Sequence, residues 1–481
     1  MKLRYIEEPS LQFGTAHHIC PKSGIYSFNP FDISQVRPEK ITIGVVGKGE
    51  SVDKVLEWIE SCKSHIAGKE SKTPHPNLFM NFCGFNKNIG FKCEIAYDET
   101  YLRKLNNSDF EKIVKGNGSL EHVINDVTNL YLNEIKFLSK NKNPDVILCA
   151  LPENLMKYIM ETKPKSTEND EEPEIIEKDF DEEDVSKKEQ NFRRNLKAQA
   201  MQYNVPIQII RDRVAKPTPE MQDPATIAWN FFTALYYKAS GTPWALIRKD
   251  SAETTCYAGI SFFKSRDKKS TQTSIAQIFN ELGKGVILRG EEIKLKKHDR
   301  TPHLEGEQAL NLLTQSLKEY YDAVKIYPKR LVLHKTSNFN DDEIYGFTEA
   351  AQKLHINQID LVSIQTSDLR LYRQGNYPPM RGTHLTMSEK HHLLYTRGSV
   401  PYYETYPGRY IPRAIEVKLA TWDESPNVIC DEILALTKMN WNNTQFDRQM
   451  PITIECARNV GEILKYLGPG DQMQLKYSFY M

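Results

Sequence analysis

The segment Asn191 to Asp212, NFRRNLKAQAMQYNVPIQIIRD, changes its hydrophobic period half-way along. Phe192, Leu196 and Tyr203 fit the core-facing stripe of a helix. Arg193 and Lys197, four residues apart, share a second face of the same helix. Val205-Pro206 then stops it, because proline offers no N–H and its ring clashes with the preceding turn. Ile207, Ile209 and Ile210 resume as a buried strand, with the polar Gln208 among them.

The same alternation runs through the first half of the chain. ITIGVVG, from Ile41, predicts a buried strand, followed by a helix from about Ser51 to His65. DVILCALP predicts another strand, ending at Pro152. ATIAWNFFTALYYK reads as a long apolar helix, stopped by Gly241-Thr242-Pro243 and followed by a short strand. Strands alternating with helices predict a mainly parallel sheet covered on both faces. Such sheets bind ligands at the carboxyl ends of their strands.

A second unit begins near Thr255. CYAGISFFKS, TSIAQIFN and GVILRGEEI predict consecutive strands, followed by a helix from about Glu305 to Tyr321. RLVLHKTS, QIDLVSIQT, HHLLYTRGSVPYY and AIEVKLATW predict further strands. DEILALTKMNW and PITIECARNVGEILKYLG predict helices, and QMQLKYSFYM closes the chain. The whole reads as two α/β domains with a boundary near residue 250.

Composition adds limits. The 481 residues are 40% hydrophobic, enough for two or three cores. No run of 18 apolar residues occurs, so no membrane span is expected. The opening MKLRYIEEPSLQFG is too charged for a signal peptide. Eight scattered cysteines without a CxxC pair predict free thiols and a cytoplasmic setting. The net charge of zero hides a division: Glu168 to Asp184 carries eleven acids and one lysine, −10, which leaves +10 for the rest. Such a run predicts a solvated insertion, about residues 163–190, or a shield for a basic groove.

Chemical motifs are sparse. No Walker loop, GxGxxG, HExxH or GxSxG is present. His17-His18 and His391-His392 are neighbours whose side chains point apart, which argues against a shared metal. Asp341-Asp342-Glu343 fits the first turn of a helix better than a metal site. Arg193, Lys197, Gln208 and Lys238 can converge into a set suited to a terminal phosphate, with nearly two negative charges. An ordinary solvated basic face accounts for the same spacing.

At this point the sequence resembles a family, the short prokaryotic Argonautes that contain only MID and PIWI domains. YIEEPSLQFG, CPKSGI and PFD resemble their N-terminal segment. RRNLKAQAMQYNVPIQ resembles the MID phosphate motif, and YYKASGTPWAL the end of MID. LVLHKTSNF, MRGTHL, LLYTRGSVPYYETYPG and LTKMNWNNTQFDRQMPITIECARNVGEIL resemble successive PIWI signatures. The resemblance implies an N-terminal segment over 1–40, a Rossmann-like MID domain over 41–250 and a ribonuclease H-like PIWI domain over 251–481. It assigns Lys197, Gln208 and Lys238 to the 5′-phosphate of a guide. Arg193 would stack on the first base or pair with the phosphate, and Lys438 and Asn442 would contact the guide backbone. It also implies Mg2+ at the guide 5′ end, held through Gln208 and the C-terminal carboxylate of Met481.

An active PIWI domain needs about four acidic or histidine ligands for two metals. By register with the family, the first two positions fall at Ser261 and Thr336, and no aspartate or glutamate lies within Gly259 to Phe263 or Leu331 to Ser337. The resemblance therefore implies a binder rather than a nuclease. It would carry a short guide, RNA above all, paired with single-stranded DNA of an invading plasmid or phage. It would then activate an APAZ-containing effector in a heterodimer, or in a higher oligomer on activation. That effector would be a TIR or sirtuin-like NADase, or less expectedly a nuclease. The alternative is a guide-directed nuclease with displaced ligands.

Overall fold

The computed structural model describes residues 1–70, 77–115, 119–153, 155, 187–218, 221–247, 254–265, 271–279, 287–293, 301–372, 374, 378–406, 411–468 and 470–481. The acidic insertion lies outside the described residues as far as 186.

Val146–Leu151, the DVILCALP run, is buried along its whole length and sits mid-sheet, as a two-sided strand must. Lys40–Lys48 lies on one side of it and Ile207–Arg211 on the other, both parallel. Glu94–Ala96 and Leu102–Leu105 pair in turn with Lys40–Lys48, also parallel. The helices Leu120–Asn141 and Lys187–Ala200 cover one face with Tyr131, Ile135, Phe192 and Leu196. Gly49–Ser61 and Pro224–Lys238 cover the other, where Trp58, Phe82, Phe85, Trp229 and Phe232 form an aromatic core. The Phe85 and Phe232 rings stack at 4.5 Å. Such a pair adds about 0.5–1.5 kcal/mol beyond its buried area.

The second large sheet has nine strands among the described residues. Its centre is a parallel trio, Thr255–Lys264, Arg330–Lys335 and Gln358–Thr366. Thr271–Phe279 and Ile287–Ile293 extend it antiparallel on one side. Ile415–Thr421, His391–Leu394 and Thr383–Ser388 extend it on the other. Gly306–Val324 and Asp341–Lys353 pack on the face carrying Cys256, Ala258 and Ile260. Ile452–Leu464 packs on the opposite face, so closely that a Cβ on Gly259 would lie 2.0 Å from the Thr453 carbonyl oxygen. One continuous apolar cluster joins the two sheets, from Ile43 and Trp58 through Trp229 to Val332 and Ile452.

The first 40 residues add an edge to the nine-stranded sheet and build a separate three-stranded one. Lys2–Tyr5 adds an edge strand against Thr383–Ser388, while Leu11–Gln12 pairs with Ala245–Leu246. The short polar strand Lys2–Tyr5 was not expected, nor were Glu94–Ala96, Leu102–Leu105 and the helix Leu120–Asn141. The strand expected over HHLLYTRGSVPYY ends at Leu394. Beyond it Gly398 takes φ +151° with its backbone against Pro379, and Pro401 opens a 3-10 turn, neither of which a ladder can use. Asp341, Asp342 and Glu343 do open a helix, capped by Asn340.

Candidate nucleic-acid interface

Four of the residues expected at a phosphate converge through ordinary local structure. The helix Lys187–Ala200 carries Lys197 in its last turn. A 3-10 turn, Met201–Tyr203, and Asn204 at φ 54° then reverse the chain, and Pro206 delivers it into Ile207–Arg211. Gln208 is only half-buried there, unlike its isoleucine neighbours. The helix Pro224–Lys238 starts with Pro224 and an Asp223 cap on the Thr226 N–H at 2.9 Å, and ends on Lys238 under the same strand.

These side chains open onto one cleft of about 1140 Å³. That exceeds the range of roughly 300–1,000 Å³ typical of small-molecule pockets, which suits the end of a polymer. Arg193, Lys197, Gln208, Lys238, Asn442 and Met481 all line it. The sequence did not single out Lys22, Arg211 and Arg213, which add further cations to the wall. Arg211 and Arg213 follow Gln208 at the carboxyl end of its strand, and that position was the available signal. The segment Asn442 to Asp447 forms another wall, where the Asn443 Nδ2 donor is buried without a hydrogen-bond partner among the described residues.

Lys238 is 4% exposed. Its Nζ donates to Ile207 O at 2.8 Å, Gln208 Oε1 at 2.5 Å and the main-chain oxygen of Met481 at 3.0 Å. Burial first, then the Lys197 charge and more weakly that of Arg193, pull its pKa well below the usual lysine range. The three acceptors favour the ammonium, so two influences oppose each other. An anion in the cleft would tip the balance towards the charged form.

The two groups assigned by resemblance to Mg2+, Gln208 and Met481, thus each already accept a hydrogen bond from Lys238 Nζ. Asp223 and Asp447 line the same cleft, each with one oxygen hydrogen-bonded and the other without a hydrogen-bond partner among the described residues, but Lys238 already stands between Gln208 and Met481. The residues present do not fit a resident magnesium ion.

Lys438 corrects another expectation. It is fully buried away from the cleft, with Nζ on Glu8 Oε1 at 2.8 Å and Pro9 O at 2.6 Å. Its partner comes from the far end of the chain, so its local sequence could not reveal it. Asn442, by contrast, does face the cleft.

Ser261 and Thr336 come just after the last registered pair of two neighbouring parallel strands, Ile260 opposite Lys335. The helix Ile452–Leu464 brackets Ser261, with Thr453 against Gly259 and Gly461 against Phe263. Nearby His334 bonds Thr453 Oγ1 at 2.8 Å, and burial pushes its pKa down to about 3, so it is neutral. Among the described residues, the group of three side chains placed to share a metal is His384, His392 and Cys430, several strands away. Arg4 Nε donates to His384 Nδ1, His384 Nε2 to His392 Nδ1, and His392 Nε2 to Glu389 O, so a hydrogen-bond relay already uses both imidazoles.

No protein-family model and no curated protein matches the sequence. Solved structures match the fold. Clostridium butyricum Argonaute bound to a guide DNA and a 19-mer target DNA superposes with a TM-score of 0.64 at 14% identity, over 98% of this chain and 53% of that one. Marinitoga piezophila Argonaute in complex with 5′ OH guide RNA gives 0.59 at 10% identity, over 100% and 59%. Drosophila Piwi gives 0.58 at 12%, over 96% and 54%. The chain spans little more than half the length of these structures. At such identities the likeness is one of fold, and the fold is Argonaute-like: mixed α/β, with a Rossmann-like MID unit followed by a ribonuclease H-like PIWI unit.

Proposed function

We propose that this chain is a guide-loaded nucleic-acid sensor that binds without cutting. The observation carrying this reading is the convergence of Arg193, Lys197, Gln208 and Lys238 on one open cleft beside Met481. A 5′-phosphate places nearly two negative charges against these cations. The guide backbone then follows the wall of Asn442 and Asn443, whose amides suit phosphate and sugar oxygens. Base pairing with complementary single-stranded DNA reads sequence, while the protein holds backbone and shape.

Ser261 and Thr336 bring hydroxyls where two-metal hydrolysis needs carboxylates. Output then belongs to another chain. The family resemblance favours an APAZ-containing effector that depletes NAD, of TIR or sirtuin-like type, triggered by plasmid or phage DNA. An RNA guide is favoured on the same ground. Guide-bearing Argonautes among the structures of like fold support the nucleic-acid part of this reading.

The guide terminus gives the test. Lys197→Ala or Gln208→Ala should weaken 5′-phosphorylated guide about 10- to 150-fold, from a charge-assisted contact of roughly 1.5–3 kcal/mol. Binding of 5′-hydroxyl guide should barely change. Equal losses for both guides would remove these residues from the phosphate site.

A further inference from the structure

A divalent cation at the guide terminus would draw on Gln208 and the C-terminal carboxylate of Met481. Both already face a cation. Lys238 Nζ reaches them at 2.5 and 3.0 Å and takes Ile207 O at 2.8 Å as its third acceptor. An ammonium has three donors and no acceptor, so these three partners use it completely. We infer that Lys238 is a resident cation in the metal's place, and that this chain binds a guide 5′-phosphate without a divalent ion. The inference rests on the guide reading above.

The surroundings agree. Lys238 ends a fifteen-residue helix, Pro224–Lys238, where the dipole favours a positive charge. Mg2+ requires near-octahedral oxygens at about 2.0–2.1 Å and gives up water reluctantly. To bridge Gln208 Oε1 and the Met481 main-chain oxygen it would have to take the place of the Lys238 amino group. The carboxylates on the cleft wall are each half used: Asp223 Oδ2 caps its helix and Asp447 Oδ1 accepts from Gln445, while the cation that meets both Gln208 and Met481 is Lys238. Roles within the site then divide. Lys238 spends its hydrogen bonds on the protein and supplies charge from below. Arg193, Lys197 and the Gln208 amide line the cleft as the groups that would meet the phosphate oxygens. This separates Lys238 from Lys197, although both are lysines of one cluster.

The test compares the affinities of 5′-phosphoryl and 5′-hydroxyl guides of one sequence, and reads their ratio with excess EDTA and with millimolar Mg2+. The ratio cancels the general screening that Mg2+ exerts on nucleic-acid binding. In the wild-type chain it should stay the same within about threefold. Lys238→Met should lower it in EDTA by about tenfold or more, and Mg2+ should restore part of it, because two oxygens are released. A thermal melt of the variant as cooperative as that of the wild type would show that it has folded. A wild-type ratio that collapses in EDTA would overturn the inference and leave the guide reading standing. A ratio near one under both conditions would sink the guide-terminus reading and this inference with it.

Discussion

Glu8 accepts from two buried cations at once, Arg381 Nε and Lys438 Nζ, each at 2.8 Å. Burial alone would raise its pKa, but the Arg381 and Lys438 charges outweigh that and hold the carboxyl below its usual range. A carboxylate depressed in the folded state stabilises it above the unfolded pKa, and that contribution disappears as pH falls through the folded value. Glu8→Gln leaves two buried cations without their anion and should cost about 3–5 kcal/mol. Glu7→Gln, one residue away and exposed, should change stability by less than about 0.5 kcal/mol. Thermal melts of the two variants at neutral pH measure the contrast, and equal melting temperatures would contradict it. This pair also marks a limit of sequence reading. Nothing in YIEEPS distinguishes Glu7 from Glu8, because the distinction lies in partners some 370 and 430 residues away.

The edge strand Lys2–Tyr5 is held as much by side chains as by its ladder. Arg4 reaches Asp431 at 2.5 Å, Asn427 O at 3.0 Å and His384 at 3.2 Å, and His384 passes the relay to His392. Burial, then the Arg4 charge, pushes the His384 pKa down to about 4, and His392 shifts in the same direction. The sign follows from the neutral form being the folded one. An unfolded imidazole takes a proton near pH 6.5 and the folded one only near 4, so stability is lost as pH falls across that window. Melting temperature should therefore decline between pH 7 and pH 5. His384→Gln should flatten that decline, and a variant that keeps the full slope would assign it elsewhere. Longer elements were legible because their apolar runs declare themselves: Val146–Leu151, Ile207–Arg211 and Pro224–Lys238 fall where the pattern puts them. Lys2–Tyr5 has no such run, since its stability comes from a sheet edge built much later in the chain.

Across the whole molecule, one apolar core fixes the first sheet against the second, and the cleft opens beside that junction. Arg193, Lys197 and Gln208 were legible because one helix-to-strand passage places them together. Lys238 was legible as a member of the set, but its saturation by Gln208, Ile207 and Met481 was not, because it depends on three separate segments meeting. A guide–target duplex is an A-like rod held through its backbone, and a binder needs no metal ligands at Ser261 and Thr336 to hold it. The most direct measurement loads the chain alone with a 5′-phosphorylated guide RNA. It then follows binding and integrity of matched and mismatched single-stranded DNA in the presence of Mn2+. The matched strand should bind tightly and the mismatched one weakly, and both should stay whole. Equal binding of the two strands, or cleavage of the matched strand that disappears in a Ser261→Ala variant, would contradict the binder reading.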